Sequence, residues 1–280
     1  MLQTSALRVL RTDDLPEVLD LLARDPVADV FVASRVQAAG LDPARLGGEM
    51  WGHVVDGRLD AVCHAAANLV PVQAGPEAAA VFAERARRQG RRCASIVGDS
   101  TAVSAMWETL EPSWGPAREV RARQPLMAID GSPAVAPDPL VRRVRPDELD
   151  LLVPACVAMF TEEVGVSPLS ADGGALYRAR VAELIRSGRA FARIEGRRVV
   201  FKAEVGAVSD AACQVQGVWV PPDLRGQGLS GPGMAAVVEL ALRDVAPVVT
   251  LYVNDYNLAA QATYRRVGFI DRGTFMSVLF

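Results

Sequence analysis

VWVPPDLRGQGLSGPGMAAVVELAL, residues 218–242, is the stretch on which the fold turns. A short apolar run ends in Pro221 and Pro222, a glycine-dense turn follows, and apolar residues then recur at helical spacing. Gly226, Gly228 and Gly231 leave out Cβ atoms where a strand hands over to a helix. Consecutive backbone N–H groups at such a turn, together with the helix N-terminus, form a concavity for an anion. The spacing Gly-x-Gly-x-x-Gly also fits the dinucleotide fingerprint, with Asp255 at about the right distance downstream. That reading ranks second. A dinucleotide turn follows its strand directly and opens a run of parallel βαβ units. Here residues 221–225 intervene, and the segments upstream read as antiparallel hairpins.

The remaining composition narrows the setting. The chain has 280 residues, enough for two domains, and half of them are apolar, so a packed interior is expected. The net charge is −3 with acids and bases interspersed, which argues against nucleic acid as a partner. Lys202 is the only lysine among 30 basic residues. The cysteines Cys63, Cys93, Cys156 and Cys213 form no CxxC pair and have apolar neighbours, as expected of buried thiols in a reducing compartment. His53 and His64 lack metal-ligand spacing, so no metal is expected. With neither a signal-peptide core nor a membrane-spanning run, the expectation is a cytoplasmic protein without membrane attachment.

The chain also repeats itself. LRVLRTDDLPEVLDLL from Leu7 reads like VRRVRPDELDLLVPAC from Val141. VVDGRLDAVCHAA from Val54 reads like RIEGRRVVFKAEV from Arg193, each a hairpin with a turn at Asp56-Gly57 or Glu195-Gly196. GPEAAAVFAERARR from Gly75 aligns without gaps to GPGMAAVVELALRD from Gly231. Three matches in one order point to a duplicated fold, joined near residues 131–139. In the first copy Gly75 follows Val72 almost at once, whereas PPDLRGQGLS separates Val220 from Gly231 in the second. The fold does without this loop once, which favours a functional role for it.

Beyond the loop, VVTLYVND reads as a strand, NLAAQATYRRVG as a helix and FIDRGTFMSVLF as a closing strand. Taken together, residues 218–269 resemble the signature half of the GNAT superfamily of acyl-CoA N-acyltransferases. The loop motif is Arg225-Gly226-Gln227-Gly228-Leu229-Ser230, with Ser in the last position in place of the usual Gly or Ala. Asn257, Ala260, Tyr264, Arg266, Gly268 and Phe269 fit the family's closing pattern in order. The resemblance implies a mixed α/β chain of two tandem GNAT-like domains, each a mostly antiparallel sheet flanked by helices. Residues 1–135 would be a degenerate copy without the pyrophosphate loop, and residues 140–280 the intact acyl-CoA-binding one.

By this resemblance acetyl-CoA is the acyl donor, and a small-molecule or peptide amine is the acceptor. The loop from Arg225 to Ser230 would hold the pyrophosphate. The backbone of Val218, Trp219 and Val220 would hold the pantetheine arm, with Asn257 on its other side. Tyr264 would protonate the departing thiolate; a packing role is the alternative. For the base, Glu204 and Glu163 are the named candidates, with Glu162, Gln214 and Gln216 beside them. Lys202 and Glu204 share one face of a strand, which is either the cleft or a solvated surface. Arg225 either adds charge to the loop or pairs with Asp223, and Glu162-Glu163 is placed just past a helix end. Direct attack in a ternary complex is expected, because no Ser or Cys occupies a convincing nucleophile position. The first copy is expected to shape the acceptor site or to mediate homodimerisation. A non-catalytic acyl-CoA sensor is the alternative from another class, with the dinucleotide enzyme behind it.

Overall fold

The computed structural model describes residues 5–169 and 173–280. The first half runs β1 (Ser5–Val9), α1 (Leu15–Leu22), α2 (Val30–Ala39), α3 (Pro43–Leu46), β2 (Glu49–Val55), β3 (Arg58–Ala65), β4 (Asn68–Val72), α4 (Pro76–Gln89), β5 (Ser95–Asp99), α5 (Ser100–Trp114) and β6 (Glu119–Ile129). The second runs β7 (Arg142–Arg143), α6 (Leu149–Val164), α7 (Ala175–Arg186), β8 (Ala190–Glu195), β9 (Arg198–Val208), β10 (Cys213–Trp219), α8 (Ser230–Asp244), β11 (Val249–Tyr252), α9 (Leu258–Val267) and β12 (Ile270–Leu279). From α4 and α8 onward the two halves carry the same series of elements.

Contacts divide the chain into two units that do not follow its linear order. One comprises Met1–Met127, Tyr252–Asn257 and Asp271–Phe280; the other comprises Ala128–Leu251 and Leu258–Ile270. A split into 1–135 and 140–280 follows the repeat in the sequence. The packing departs from it because the last strand of the chain hydrogen-bonds to β5, from Phe275 opposite Asp99 to Leu279 opposite Ser95.

In the first unit the strands lie in the order β1-β2-β3-β4-β5-β12-β6. From β1 to β12 every step is antiparallel except the parallel β4–β5 step. The β2–β3 hairpin turns at Asp56 and Gly57, both at positive φ, as a tight turn between right-twisted strands requires. Strand alternation serves two cores. Met50, Val62 and Val70 face α1 and α2. Their neighbours Trp51, Cys63 and Leu69 face α4 and α5, joined by Met276 and Val278 of β12.

The second unit orders its strands β11-β10-β9-β8-β7, with β10–β11 parallel and the rest antiparallel. Helices α6 and α7 cover one face through Leu152, Ala155, Cys156, Val181, Leu184 and Ile185. On α8, Met234, Ala235, Val237 and Val238 are buried. Its Gly233 lies so close to Phe201 of β9 that a Cβ there would sit 2.7 Å from the ring.

Candidate functional site

The site in the second unit begins with a parting of strands. β10 pairs with β11 only through Cys213 opposite Val249 and Gln214 opposite Thr250. Farther on, β10 bulges against β9: Gln216 lies opposite Glu204 and Trp219 opposite Lys202, so three steps on β10 match two on β9. Gly217 occupies the bulge at φ +60°. The main chain of Gly217, Val218, Trp219 and Val220 therefore runs half-buried without a β11 register. In the first unit the β4–β5 register likewise holds only two pairs, Asn68 opposite Ser95 and Leu69 opposite Ile96, but the two strands stay close beyond it. A Cβ on Gly98 of β5 would lie 3.1 Å from the carbonyl oxygen of Pro71 on β4.

Past Trp219 a short 3-10 turn, Pro222–Leu224, leads into the glycine loop. Gly226 and Gly228 sit at φ +77° and +78°, with open space where each Cβ would be. Ser230 starts α8 at once, and no side chain caps the helix. Its first N–H groups thus stand beside the exposed backbone of Gly226, Gln227 and Gly228. Open left-handed glycines, an uncapped helix start and a neighbouring guanidinium suit a pyrophosphate. Coenzyme A therefore fits the residues present.

Arg225 does not pair with Asp223, which binds Arg198 at 2.5 Å instead. The Arg225 guanidinium donates to Glu162 Oε2 at 2.7 Å and to the Val220 carbonyl at 3.1 Å, while Trp219 Nε1 donates to the same Glu162 oxygen at 3.3 Å. The Arg225 hydrogen bond holds the Glu162 carboxyl below its ordinary range against a smaller opposing effect of burial. Trp219 is half-buried, packed against the core beneath α6 and α7. Glu162 and Glu163 lie within the last turn of α6, not past it.

Lys202 and Glu204 correct the solvated-surface alternative. Both are buried, and Lys202 Nζ donates to Glu204 Oε2 at 3.2 Å along one strand. Gln216 Nε2 donates to Glu204 Oε1 at 3.0 Å. Burial opposes both charges, but their mutual attraction outweighs it: the lysine is raised and the carboxyl lowered. Nearby, Tyr177 of α7 donates to the Cys156 carbonyl at 2.9 Å and stacks edge-on against Phe160.

Tyr264 of α9 is buried against Phe269, ring centroids 5.9 Å apart. Burial pushes its hydroxyl upward and the charge of Glu163 adds to this, so the phenol stays protonated across the neutral range. Asn257 is exposed in the turn before α9, where its N–H donates to the Asn254 carbonyl at 3.0 Å. Thus Arg225, Trp219, Glu162 and the loop come together, as do Lys202, Glu204, Gln216 and the bulge. Tyr177 escaped the sequence reading; no spacing rule reaches across the turn between two helices. Among the described residues no group of His, Cys, Asp or Glu is arranged to hold a metal, and no helix is long and apolar enough to cross a membrane.

Comparison with known proteins agrees with this geometry. Residues 184–269 match the model of the acetyltransferase (GNAT) family, and residues 48–152 match a domain of unknown function, DUF4081. Among curated proteins nothing matches. A Drosophila malonogaster protein aligns at TM-score 0.67 and 16% identity over 99% of both chains. A GCN5-related N-acetyltransferase from Sphaerobacter thermophilus aligns at 0.61 and 16%, over 98% of this chain and 94% of its own. A tandem GNAT protein from the clavulanic acid biosynthesis pathway aligns at 0.53 and 17%, over 99% and 98%. At such identities these likenesses concern the fold. With the parted strands, the glycine loop and the family match on the same residues, the stretch 184–269 is a domain of the GNAT acetyltransferase family.

Proposed function

We propose that the protein is an acyl-CoA-dependent N-acyltransferase that moves an acetyl group from acetyl-CoA to a primary amine within a ternary complex. The observation that carries this reading is the parting of β10 from β11 after Gln214, ending at an open glycine loop and an uncapped helix. The N–H groups of Gly226, Gln227, Gly228, Leu229 and Ser230 bind the pyrophosphate, with Arg225 beside them. The backbone of Val218, Trp219 and Val220 bonds the pantetheine amides. When bound, acetyl-CoA supplies an activated thioester; the chain supplies orientation and N–H polarisation of its carbonyl.

Tyr264 holds the proton for the departing thiolate, consistent with a hydroxyl that burial keeps neutral. An alkyl amine arrives mostly as the ammonium. Glu204 is already neutralised by Lys202, so Glu163, the more exposed carboxylate and one whose charge reaches both Tyr264 and Tyr177, draws off the ammonium's proton directly or through water. The first copy has neither the loop nor a tyrosine in this register, where Glu108 stands instead. We assign residues 140–280 the chemistry, in the cytoplasm and without metal, and residues 1–135 a supporting part. Release of free CoA from acetyl-CoA with a panel of amines tests the reading: amine-dependent release supports it. Tight binding with no amine ever acylated would establish a sensor.

A further inference from the structure

The chain contains 30 basic residues, and Lys202 is the only one that is not arginine. Among the described residues it is also the only cation that is buried, with 1% of its surface exposed. Its surroundings explain why a compact ammonium stands there. A Cβ on Gly217 would come within 3.0 Å of Lys202 Nζ, 3.1 Å of Met159 Cε and 3.2 Å of Glu204 Cδ, so these groups converge directly beneath the bulge. Against burial, the Glu204 charge raises the lysine, and Cys156 of α6 adds to this. A planar guanidinium with its fixed fork presents its donors differently and is not interchangeable with this ammonium.

The ion pair also brackets the bulge. Lys202 lies opposite Trp219, two residues after Gly217, and Glu204 opposite Gln216, the residue before it. Gln216 closes the figure through its bond to Glu204, and Gly206 leaves its side chain room by having no Cβ. Stability alone does not call for this arrangement, since an apolar pair of similar volume is commonly as stable or more so. Directional polar bonds do something that apolar contacts cannot. Slipping β10 by one residue would turn Gln216 to the other face and leave the Glu204 carboxylate short of a donor.

We propose that the Lys202–Glu204 pair is the clamp that sets the bulge at Gly217, which makes Lys202 a positioning residue for the strand that receives the acyl-CoA arm. The proposal rests on the acyl-CoA reading given above. The lone lysine supplies its own probe: protein labelled with 15N at lysine Nζ gives one side-chain ammonium resonance. That resonance is expected to shift as acetyl-CoA is added, in step with a rise in melting temperature. The apolar double variant Lys202→Met/Glu204→Leu is expected to fold with a melting temperature near that of the parent. It should bind acetyl-CoA at least about tenfold more weakly and exchange the amide hydrogens of Gly217, Val218 and Trp219 at least about tenfold faster without ligand. Gln216→Leu, which spares both charges, should show the same two changes to a smaller degree and keeps the test usable if the double variant does not fold. A lysine resonance that stays put while the melting temperature rises, or parental affinity and exchange in the variants, overturns the proposal. Failure of acetyl-CoA to raise the parent's melting temperature would instead count against the acyl-CoA reading, and the exchange rates in ligand-free protein would still decide whether the pair sets the bulge.

Discussion

Asp29, at the start of α2, is a carboxyl with 5% of its surface exposed that accepts one hydrogen bond from Gln73 Nε2 at 2.7 Å. Burial pushes it up to about 7, against the Gln73 bond and with some help from Asp25. Its folded value thus lies above its unfolded one. The native state binds the extra proton between these values, so the contribution is fully favourable below about pH 4 and is lost as pH rises towards 7. Asp29→Asn should therefore stabilise the protein by about 4 kcal/mol at pH 8, with the difference vanishing near pH 4 in denaturant titrations. At the site, Tyr264→Phe should lower turnover about tenfold or more while acetyl-CoA affinity, read by calorimetry, stays within about twofold. Equal loss of both would reduce Tyr264 to a packing residue. The position of Tyr264 was legible because its motif spacing is fixed. The burial of Lys202 and Glu204 was not, because strand alternation tells which residues share a face and not whether helices α6 and α7 cover it.

Elements were read more securely than their neighbours in space. The two hairpins, the loop and the helix after it are local, and glycine, proline and apolar period announce them. What the period did not reveal is how closely α8 approaches the sheet. Gly233 permits that approach, since any Cβ would meet the Phe201 ring at 2.7 Å. Gly233→Ala should cost about 1–3 kcal/mol through overpacking, measurable as a lower denaturation midpoint, although alanine favours a helix over glycine. No change in midpoint would mean that helix and strand simply move apart. The reading of Glu162-Glu163 as lying beyond α6 failed because the helix runs on to Val164 and stops at Gly165, left-handed at φ +78°.

At the scale of the whole molecule the repeat was visible in the sequence, but the membership of β12 was not. Strand pairing is non-local, and nothing in residues 270–279 says which edge they will join. Met276 and Val278 pack in the core with α4 and α5, so truncation after Ile270 should unsettle the first unit although every deleted residue comes from the C-terminus. Hydrogen exchange at the β5 amides of Ile96 and Val97 should accelerate at least about tenfold, and unchanged protection there would contradict the assignment of β12. The account as a whole stands on the loop that only the second copy possesses. Calorimetric titration of acetyl-CoA into the parent and into Gly226→Val/Gly228→Val, which places branched residues at positive φ, tests it most directly. The prediction is saturable binding to the parent, at least about tenfold weaker in the variant, and none of NAD to either. Equal affinity for acetyl-CoA in both proteins, no binding at all, or binding of NAD in its place would contradict it.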